Sequence, residues 1–291
     1  MAAQHDFEKI TIVSINGVLG RARAALNALV HSNSKLPGSR ALLISPSLPQ
    51  GAPAFVRHVP ITEIGYLDYT VFVLYCLRAF IETEFALIVQ DDGWVLSAEN
   101  WRPYFLEYDF VGAPVHLAQV HAPDGLRMMN GFEWVNVPAE WRVDHVLNGG
   151  FSLRSRKALH APAALKLNLV VPPVAELAGP PYSMQFRNQQ TLEDVQFCVH
   201  MRPALEKEGM RYAPLHVAKE FSFEHLGPRI HTGVDLGTVF GQHSKLRKIC
   251  SIDPLRVSYS VTAQEAQKIY GESRIIKLFE KLGYAVSYSA S

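Results

Sequence analysis

Cysteine is scarce in this sequence, and the few cysteines lie far apart. There are three, Cys76, Cys198 and Cys250, and no two of them form a CxxC pair. A disulfide-stabilised small domain and a structural zinc site both need more cysteines at closer spacing. The sequence therefore indicates neither, and it predicts free thiols in a reducing compartment.

Long apolar runs and an excess of charge of one sign are also missing. No apolar stretch approaches the roughly 18–20 residues that span a bilayer, and the segment Met1 to Glu8 lacks the apolar core of a signal peptide. The formal net charge of +1 gives no basic footprint for nucleic acid. We therefore expect a cytoplasmic protein with no integral membrane segment and no nucleic-acid partner, for which peripheral association with a membrane stays open.

What the sequence does contain is enough apolar material for one large or two small domains, with 48% hydrophobic residues in 291. Short apolar segments at Lys9 to Ile15 and Ala41 to Ser45 alternate with helical patterns at Arg21 to Val30 and Tyr69 to Ile81. Such alternation predicts an α/β fold with a mostly parallel central sheet flanked by helices.

The most informative segment is an apolar run that ends in two acids. Phe85 to Val89 reads as a buried parallel strand, and Gln90-Asp91-Asp92-Gly93 follows it directly. Ligands of open α/β sheets bind beyond such strand ends, and a divalent cation would compensate two adjacent carboxylates there. The segment therefore predicts a metal–diphosphate site, while a solvated turn is the alternative.

Two consecutive glycines interrupt a second apolar strand. Asn148, Gly149 and Gly150 lie within Val146 to Ser155. Glycines in a strand interior indicate close approach of a ligand or another backbone. A simple bulge is the alternative explanation.

A second acidic pair begins a predicted helix. Thr191 is a suitable N-cap for a helix from about Leu192 to Met201, which places Glu193 and Asp194 in its first turn. Either acid could serve as a general base, or both could simply complement the helix dipole. Further on, His243 lies two residues after Gly241 and could face a pocket. The alternative is a surface or core position, which is more common for a lone histidine.

Two other stretches leave their role open. The turn at Asn16 follows the first strand and could receive a nucleotide base or ribose, or be only a tight turn; Ile15 breaks the GxGxxG pattern. The stretch from His116 to Val143, which includes Trp134 and Trp141, is predicted to be a long irregular loop. Its tryptophans would either bind sugar rings or anchor the loop to the core.

Taken together, these segments resemble the GT-A class of nucleotide-sugar glycosyltransferases, and within it a bacterial family of unknown detailed function that carries a QDDG signature. The resemblance runs from about Lys9 to His243 and rests on four motifs in order: Gln90 to Gly93, Asn148 to Arg154, Glu193-Asp194 and Phe240 to His243. It implies a GT-A-like (Rossmann-like) catalytic domain over residues 1–250, with a nucleotide-binding half (about 1–115) and an acceptor half (about 116–250). Residues 251–291 are then a C-terminal helical extension.

The resemblance also implies roles for individual residues. In GT-A enzymes an acidic motif at the end of a central strand binds Mn²⁺ or Mg²⁺ that bridges the donor diphosphate. The expected metal ligands are Asp92 and His243, and the expected catalytic base is Asp194 or Glu193. The residues expected at the donor nucleotide are Asn16, Gln90, Asp91 and Asp92. Those expected at the sugar or acceptor are Trp94, Asn148, Gly149 and Gly150.

The function implied is that of a metal-dependent, inverting hexosyltransferase in bacterial surface polysaccharide synthesis. Its partners would be a nucleotide-sugar donor and a glycan or lipid-linked hydroxyl acceptor. A retaining mechanism would follow if no carboxylate lay on the acceptor side. Two other functions fit the same residues: a metal-dependent phosphoesterase and a non-catalytic nucleotide-sugar binding module.

Overall fold

Strands and helices alternate along the first part of the chain in a computed structural model that describes residues 2–133, 136–171, 175–186 and 191–290. The strands are β1 (Ile10–Ile15), β2 (Arg40–Ser45), β3 (Val56–Pro60), β4 (Phe85–Val89), β5 (Gly93–Val95), β6 (Phe110–Ala122), β7 (Gly125–Asn130), β8 (Arg142–Ser155), β9 (Ala175–Ala178), β10 (Ser183–Phe186), β11 (Ser222–Phe223), β12 (Gly241–His243), β13 (Arg247–Ile252), β14 (Leu255–Tyr259) and β15 (Ala285–Ser287).

The helices are α1 (Ala2–Phe7), α2 (Ala22–Lys35), α3 (Tyr66–Val71), α4 (Arg156–Ala164), α5 (Glu193–Val195), α6 (Arg202–Lys207), α7 (Leu215–Phe221), α8 (Ala263–Lys268) and α9 (Glu272–Lys281). Tighter or wider helical turns continue α3 through Phe72–Cys76 and Leu77–Ala79, and α5 through Gln196–His200. Within the described residues, no helix is both long enough and apolar enough to cross a membrane.

Seven strands form the central sheet, in the order β3-β2-β1-β4-β8-β6-β7. Strands β1 to β4 pair in parallel, whereas β8 is antiparallel to both of its neighbours, β4 and β6. Strand β7 is antiparallel to β6. Five of the seven strands therefore share one direction. The predicted α/β class, with a mostly parallel central sheet flanked by helices, is confirmed.

Strand β4 lies in the middle of this sheet and is buried on both faces. On one face Leu87 joins the core that contains Leu26 of α2. On the other face Ile88 packs with Leu77 and with Leu159 of α4. Because both faces are covered by helices, the strand is an uninterrupted apolar run instead of an alternating one.

A second, smaller sheet positions the end of β4. Strand β5 begins directly after the acidic pair and is antiparallel to β12, with Gly93 opposite His243. The Ser244 N–H also donates to the Asp92 carbonyl oxygen at 2.9 Å. Backbone pairing of β5 with β12 therefore makes Gly93 and His243 neighbours, although they are about 150 positions apart in sequence.

The C-terminal part packs against this small sheet. Strands β13, β14 and β15 form a sheet of their own, and α9 contributes Phe279 to a core that includes Trp94 and Leu96. The Trp94 indole N–H donates to the Tyr284 hydroxyl at 3.2 Å. The segment predicted as a helical extension, residues 251–291, thus contains strands as well as α8 and α9.

The prediction of a long irregular loop from His116 to Val143 was wrong. Strand β6 continues to Ala122, and β7 pairs with it as a hairpin. The outer half of this hairpin is partly exposed, so polar residues such as Gln119 and Arg127 interrupt the apolar pattern. Trp141 is half-buried, with the Arg127 guanidinium carbon 5.3 Å from its ring centroid, and Trp134 lies outside the described residues.

Gly112 allows β6 to approach β8 closely beside Asn148, and its replacement should destabilise the fold. A Cβ at residue 112 would lie 2.2 Å from the Asn148 backbone oxygen. Because a backbone atom cannot move aside cheaply, we expect Gly112→Ala to lower the free energy of unfolding by about 1–3 kcal/mol. Urea denaturation measures this change.

Gly20→Ala is the matched control for that experiment. No atom lies within 4 Å of a Cβ built at Gly20, so its stability should stay within about 0.5 kcal/mol of wild type. Equal stability of the Gly112→Ala protein and the control would contradict the close approach of the two strands.

Candidate functional site

A cavity of about 530 Å³ lies at the end of β4, beside β8, the start of α5 and the small sheet. The predicted site residues that line it are Gln90, Asp92, Asn148, Gly150, Glu193, Asp194 and His243. They come from four separate segments of the chain. The fold therefore brings all four sequence motifs to one cavity.

Asp92 follows β4, His243 ends β12, and their side chains touch. Asp92 Oδ1 lies 3.1 Å from His243 Nε2, and both residues are buried. This carboxylate oxygen has no hydrogen-bond partner in the described part of the chain. It is paired by charge but not by a hydrogen bond, which leaves a buried lone pair available to a cation.

Gln90 supplies a further ligand atom at the same place. Its Oε1 lies 3.2 Å from His243 Nε2. Its Nε2 donates to the Tyr69 hydroxyl at 2.7 Å, which turns the amide oxygen towards the histidine. Adjacent ligands of an octahedral cation with bonds near 2.1 Å lie about 3 Å apart. The distances from His243 Nε2 to Asp92 Oδ1 and to Gln90 Oε1, 3.1 and 3.2 Å, match that spacing.

Gly150 keeps the space between these atoms open. A Cβ at residue 150 would lie 2.3 Å from His243 Nε2 and 2.5 Å from Gln90 Oε1. Any other residue would therefore fill this space and collide with both side chains. This explains one of the two glycines at the centre of β8.

The donor set fits a divalent cation whose coordination is completed by substrate. In the residues that the structure describes, no three His, Cys, Asp or Glu side chains are arranged to hold a metal ion by themselves. Mg²⁺ is commonly bound by one or two carboxylates and completes its shell with water and substrate phosphates. Asp92, His243 and the Gln90 amide oxygen form such a partial set.

Glu224 adds a second carboxylate on the far side of the imidazole. Its Oε1 lies 3.6 Å from His243 Nδ1, and its Oε2 accepts a hydrogen bond from Asn148 Nδ2 at 3.1 Å. Burial alone would lower the pKa of His243, but Asp92 and Glu224 outweigh burial and raise it to about 10. A metal that binds Nε2 must therefore displace a proton.

The two acids at the start of α5, Glu193 and Asp194, lie in different environments. Glu193 Oε1 accepts a hydrogen bond from Arg154 Nη2 at 2.8 Å, and both side chains are almost completely buried. A buried charge is stable only with such a partner. Glu193 is therefore held as half of a structural ion pair.

Asp194 accepts hydrogen bonds, and no cation among the described residues forms an ion pair with it. Its Oδ1 accepts from the Val195 N–H at 2.8 Å and its Oδ2 from the Gly149 N–H at 3.3 Å. Burial, together with the nearby charges of Glu193 and Glu224, raises the pKa of Asp194 to about 8. This carboxyl group therefore exchanges its proton near neutral pH, as a general base requires.

Trp94 does not lie at the site, so its prediction as a sugar-binding residue is corrected. Its side chain is fully buried and its ring centroid lies 5.7 Å from that of Phe279. Because both faces of the indole are in the core, none is available to a sugar. The position of Trp94 in the sequence, close to the acidic pair, was misleading because β5 turns this side chain away from the cavity.

Two predicted donor-binding residues, Asp91 and Asn16, do not line the cavity. Asp91 Oδ2 forms an ion pair with Lys248 Nζ at 2.5 Å. Asn16 is buried, and its Oδ1 accepts a hydrogen bond from the Val18 N–H at 2.7 Å. Asn16 follows β1 at the same edge of the sheet as the acidic pair, because β1 and β4 pair in parallel.

The lining residues that sequence analysis missed include Glu224, Lys245 and Tyr66. Glu224 directly follows β11 and Lys245 follows β12, and the pairing of β11 with β12 and of β12 with β5 brings both to the cavity. The adjacent ionisable pair Glu224-His225 after an apolar stretch was the one available signal. Tyr66 carried none, because it begins a helix far from any motif.

Arg247 connects the C-terminal part to the cavity. Its guanidinium donates to the Glu224 carbonyl oxygen at 3.0 Å and to the His243 carbonyl oxygen at 3.5 Å. Glu272 at the start of α9 accepts from the same guanidinium at 2.9 Å. The backbone of two cavity residues is therefore fixed by a buried ion pair with the C-terminal part.

The chain belongs to a family described as "Protein of unknown function (DUF5672)", whose model matches residues 73–243. The matched range begins ahead of β4 and ends at His243, so among the predicted site residues it omits only Asn16. A search of curated proteins finds no match.

Among solved structures, the chain is similar to the galactosyltransferase LgtC. One structure is its complex with donor and acceptor sugar analogs (13% identity, TM-score 0.43), and the other is an active-site mutant (11% identity, TM-score 0.44). In both cases the alignment covers 94% of this chain and 95% of the other. At these TM-scores the similarity carries no information about function, which must be argued from the site itself.

The two acids of α5 should respond differently to neutralisation. Glu193→Gln leaves Arg154 as a buried, unpaired cation, and we expect a loss of about 3–5 kcal/mol in the free energy of unfolding. Asp194→Asn removes a carboxyl group that the fold keeps protonated. In wild type the unfolded state loses this proton first, so stability falls as pH rises from the ordinary carboxyl range to about 8.

The stability of the Asp194→Asn protein does not fall with pH in this way, because the substituted residue has no proton to lose. Its stability relative to wild type should therefore increase by at least about 1.4 kcal/mol over this pH range, the equivalent of one pKa unit. Urea denaturation at about pH 5 and about pH 9 measures the difference. A stability difference that does not change with pH would contradict the raised pKa of Asp194.

Proposed function

We propose that this protein is a glycosyltransferase that moves a sugar from a nucleoside-diphosphate sugar to a hydroxyl acceptor. The proposal rests on the glycine pair of β8. A Cβ on Gly150 would fill the space between His243 Nε2 and Gln90 Oε1, and one on Gly149 would lie 1.8 Å from Glu193 Oε1. At these two positions the strand lies between the atoms proposed to bind the cation and the carboxylates of α5. Both sets of atoms line one cavity.

Such a transfer needs charge stabilisation at one end and a base at the other. At the donor end, Asp92, His243 and the Gln90 amide oxygen would hold Mn²⁺ or Mg²⁺. Bound there, the cation would act as a Lewis acid on the departing diphosphate. The exposed Lys245 also lines the cavity and adds a positive charge that favours the diphosphate.

At the acceptor end, Asp194 is the proposed base. The acceptor oxygen attacks the anomeric carbon, the bond from that carbon to the diphosphate oxygen breaks, and the acceptor proton passes to Asp194. Glu193 is unsuited to this role because Arg154 holds it in an ion pair. A base placed across the glycine pair from the cation supports attack opposite the leaving group, and hence inversion.

Removal of the base and a change of pH should both affect turnover. We expect Asp194→Asn to lower kcat by at least about 100-fold, the usual contribution of a general base, with little effect on donor binding. Because Asp194 must lose its proton, kcat/KM should rise with pH and level off above about 8. Release of nucleoside diphosphate with acceptor present measures both. A full rate in Asp194→Asn would refute this role.

Donor binding can be tested by thermal shift with a panel of nucleoside diphosphates and nucleotide sugars, with and without Mn²⁺. A ligand at a hundredfold excess over its Kd adds about 2.7 kcal/mol of stability. We expect one nucleotide class to stabilise the protein in a metal-dependent way. Asp92→Asn and Gly150→Ala should remove that stabilisation, because one deletes a ligand charge and the other fills the cation space.

Asp124→Asn is the matched control, since Asp124 is an exposed acid on the β6–β7 hairpin that pairs with Arg127. It should bind as wild type does. No shift with any nucleotide would contradict the donor site. Nucleotide binding without sugar transfer would favour a binding module, and release of phosphate from phosphoesters would favour a phosphoesterase.

A further inference from the structure

One side of the cavity is built from aliphatic residues. The aliphatic wall, as we call it, consists of Pro114, Val115, Leu117, Val146, Leu192 and Val195. These residues come from β6, β8 and the start of α5. The charged groups at the end of β4 therefore share the cavity with an uncharged surface that the proposed chemistry does not use.

An irregularity in β6 creates much of this wall. Strand β6 pairs with β8 at Pro114 opposite Leu147 and again at Ala118 opposite His145. Three residues of β6 thus lie opposite the single residue Val146. Bulges of this kind bend a strand and redirect its side chains, and they are common beside active sites. Here the bulge presents Val115 and Leu117 to the cavity.

The wall continues around the proposed base. Leu192 and Val195 flank Glu193-Asp194 in sequence, and all four residues line the cavity. The aliphatic surface is therefore next to the group that would receive the acceptor proton. It belongs to the acceptor side of the cavity, away from the cation-binding atoms at Gly150.

This surface is poorly suited to a second sugar ring. Sugar hydroxyls placed against it would lose hydrogen bonds to water and gain none from aliphatic side chains. Of the polar residues in this part of the lining, His116 is directed towards Glu133, with Nδ1 3.8 Å from Oε1. Tyr66 is the only Phe, Tyr or Trp among the described lining residues, and it is 71% exposed.

We propose that the acceptor carries its reactive hydroxyl next to an apolar group, either an alkyl chain or an aromatic ring, that binds the aliphatic wall. This inference rests on the proposed function and narrows its acceptor. The hydroxyl would lie at Asp194, and the apolar group would extend along Val115 and Leu192, which are the partly exposed residues of the wall. Burial of apolar surface would supply the binding energy that hydroxyl contacts cannot supply here.

The test compares acceptors that differ only in the apolar group. Methyl, octyl and phenyl glycosides of one sugar are assayed with the donor found by thermal shift, each below the concentration at which it forms micelles. We expect kcat/KM for octyl or phenyl glycoside to exceed that for methyl glycoside by about tenfold or more, as burial of several methylenes predicts. A preference for octyl indicates a lipid acceptor, and a preference for phenyl an aromatic one.

Val115→Thr replaces a methyl group of the wall with a hydroxyl of almost the same size. It should reduce the preference for the apolar glycoside over methyl glycoside at least about threefold. Val143→Thr is the matched control, because Val143 is also a partly exposed strand valine and does not line the cavity. It should leave the preference intact.

The outcomes separate this inference from the proposed function. Metal-dependent donor binding with equal kcat/KM for all three glycosides would overturn the apolar acceptor and leave the transferase standing. A preference that Val115→Thr does not alter would also overturn it, because the apolar group would then bind elsewhere. Absence of donor binding and of sugar transfer would overturn both.

Discussion

The contact between Asp92 and His243 is the interaction on which the rest of the site depends. Neither group is favourable alone, because a buried carboxylate or imidazolium without a partner costs several kcal/mol. Their 3.1 Å contact exists only because β5 pairs with β12. That pairing also brings Lys245 to the cavity, and the parallel pairing of β11 with β12 brings Glu224. One small three-stranded sheet thus assembles these four charged groups.

The glycine pair imposes a second constraint, which is steric. Side chains occupy the space beside both glycines, with Glu193 at Gly149 and with His243 and Gln90 at Gly150. The polar groups of the site can approach the strand this closely only where it has no side chains. Gly112 has the same role between strands, since β6 approaches the Asn148 carbonyl where a Cβ would clash. Glycine at these three positions therefore permits the close approach of backbone and polar side chains around β8.

Local signals in the sequence were sufficient for some of these features. The β4 run, the acids that end it and the helix start at Glu193 are each contained within a few residues, so periodicity and capping rules apply to them. Local rules could not predict the burial of Trp94, because it depends on Phe279 and Tyr284, which lie almost 190 residues later in the sequence. The role of Arg247 was hidden for the same reason, since its partners Glu224 and Glu272 are distant in sequence.

The sequence also could not distinguish the environments of two adjacent acids. Glu193 and Asp194 look equivalent at a helix start, where the dipole favours both. Among the described residues a single cation distinguishes them: Arg154 Nη2 lies 2.8 Å from Glu193 Oε1, whereas Asp194 accepts hydrogen bonds from N–H donors. Burial and nearby like charges favour the neutral form of the Asp194 carboxyl group and raise its pKa. One of the two neighbouring acids is thus fixed in an ion pair, and the other is suited to the proton transfer that we propose for it.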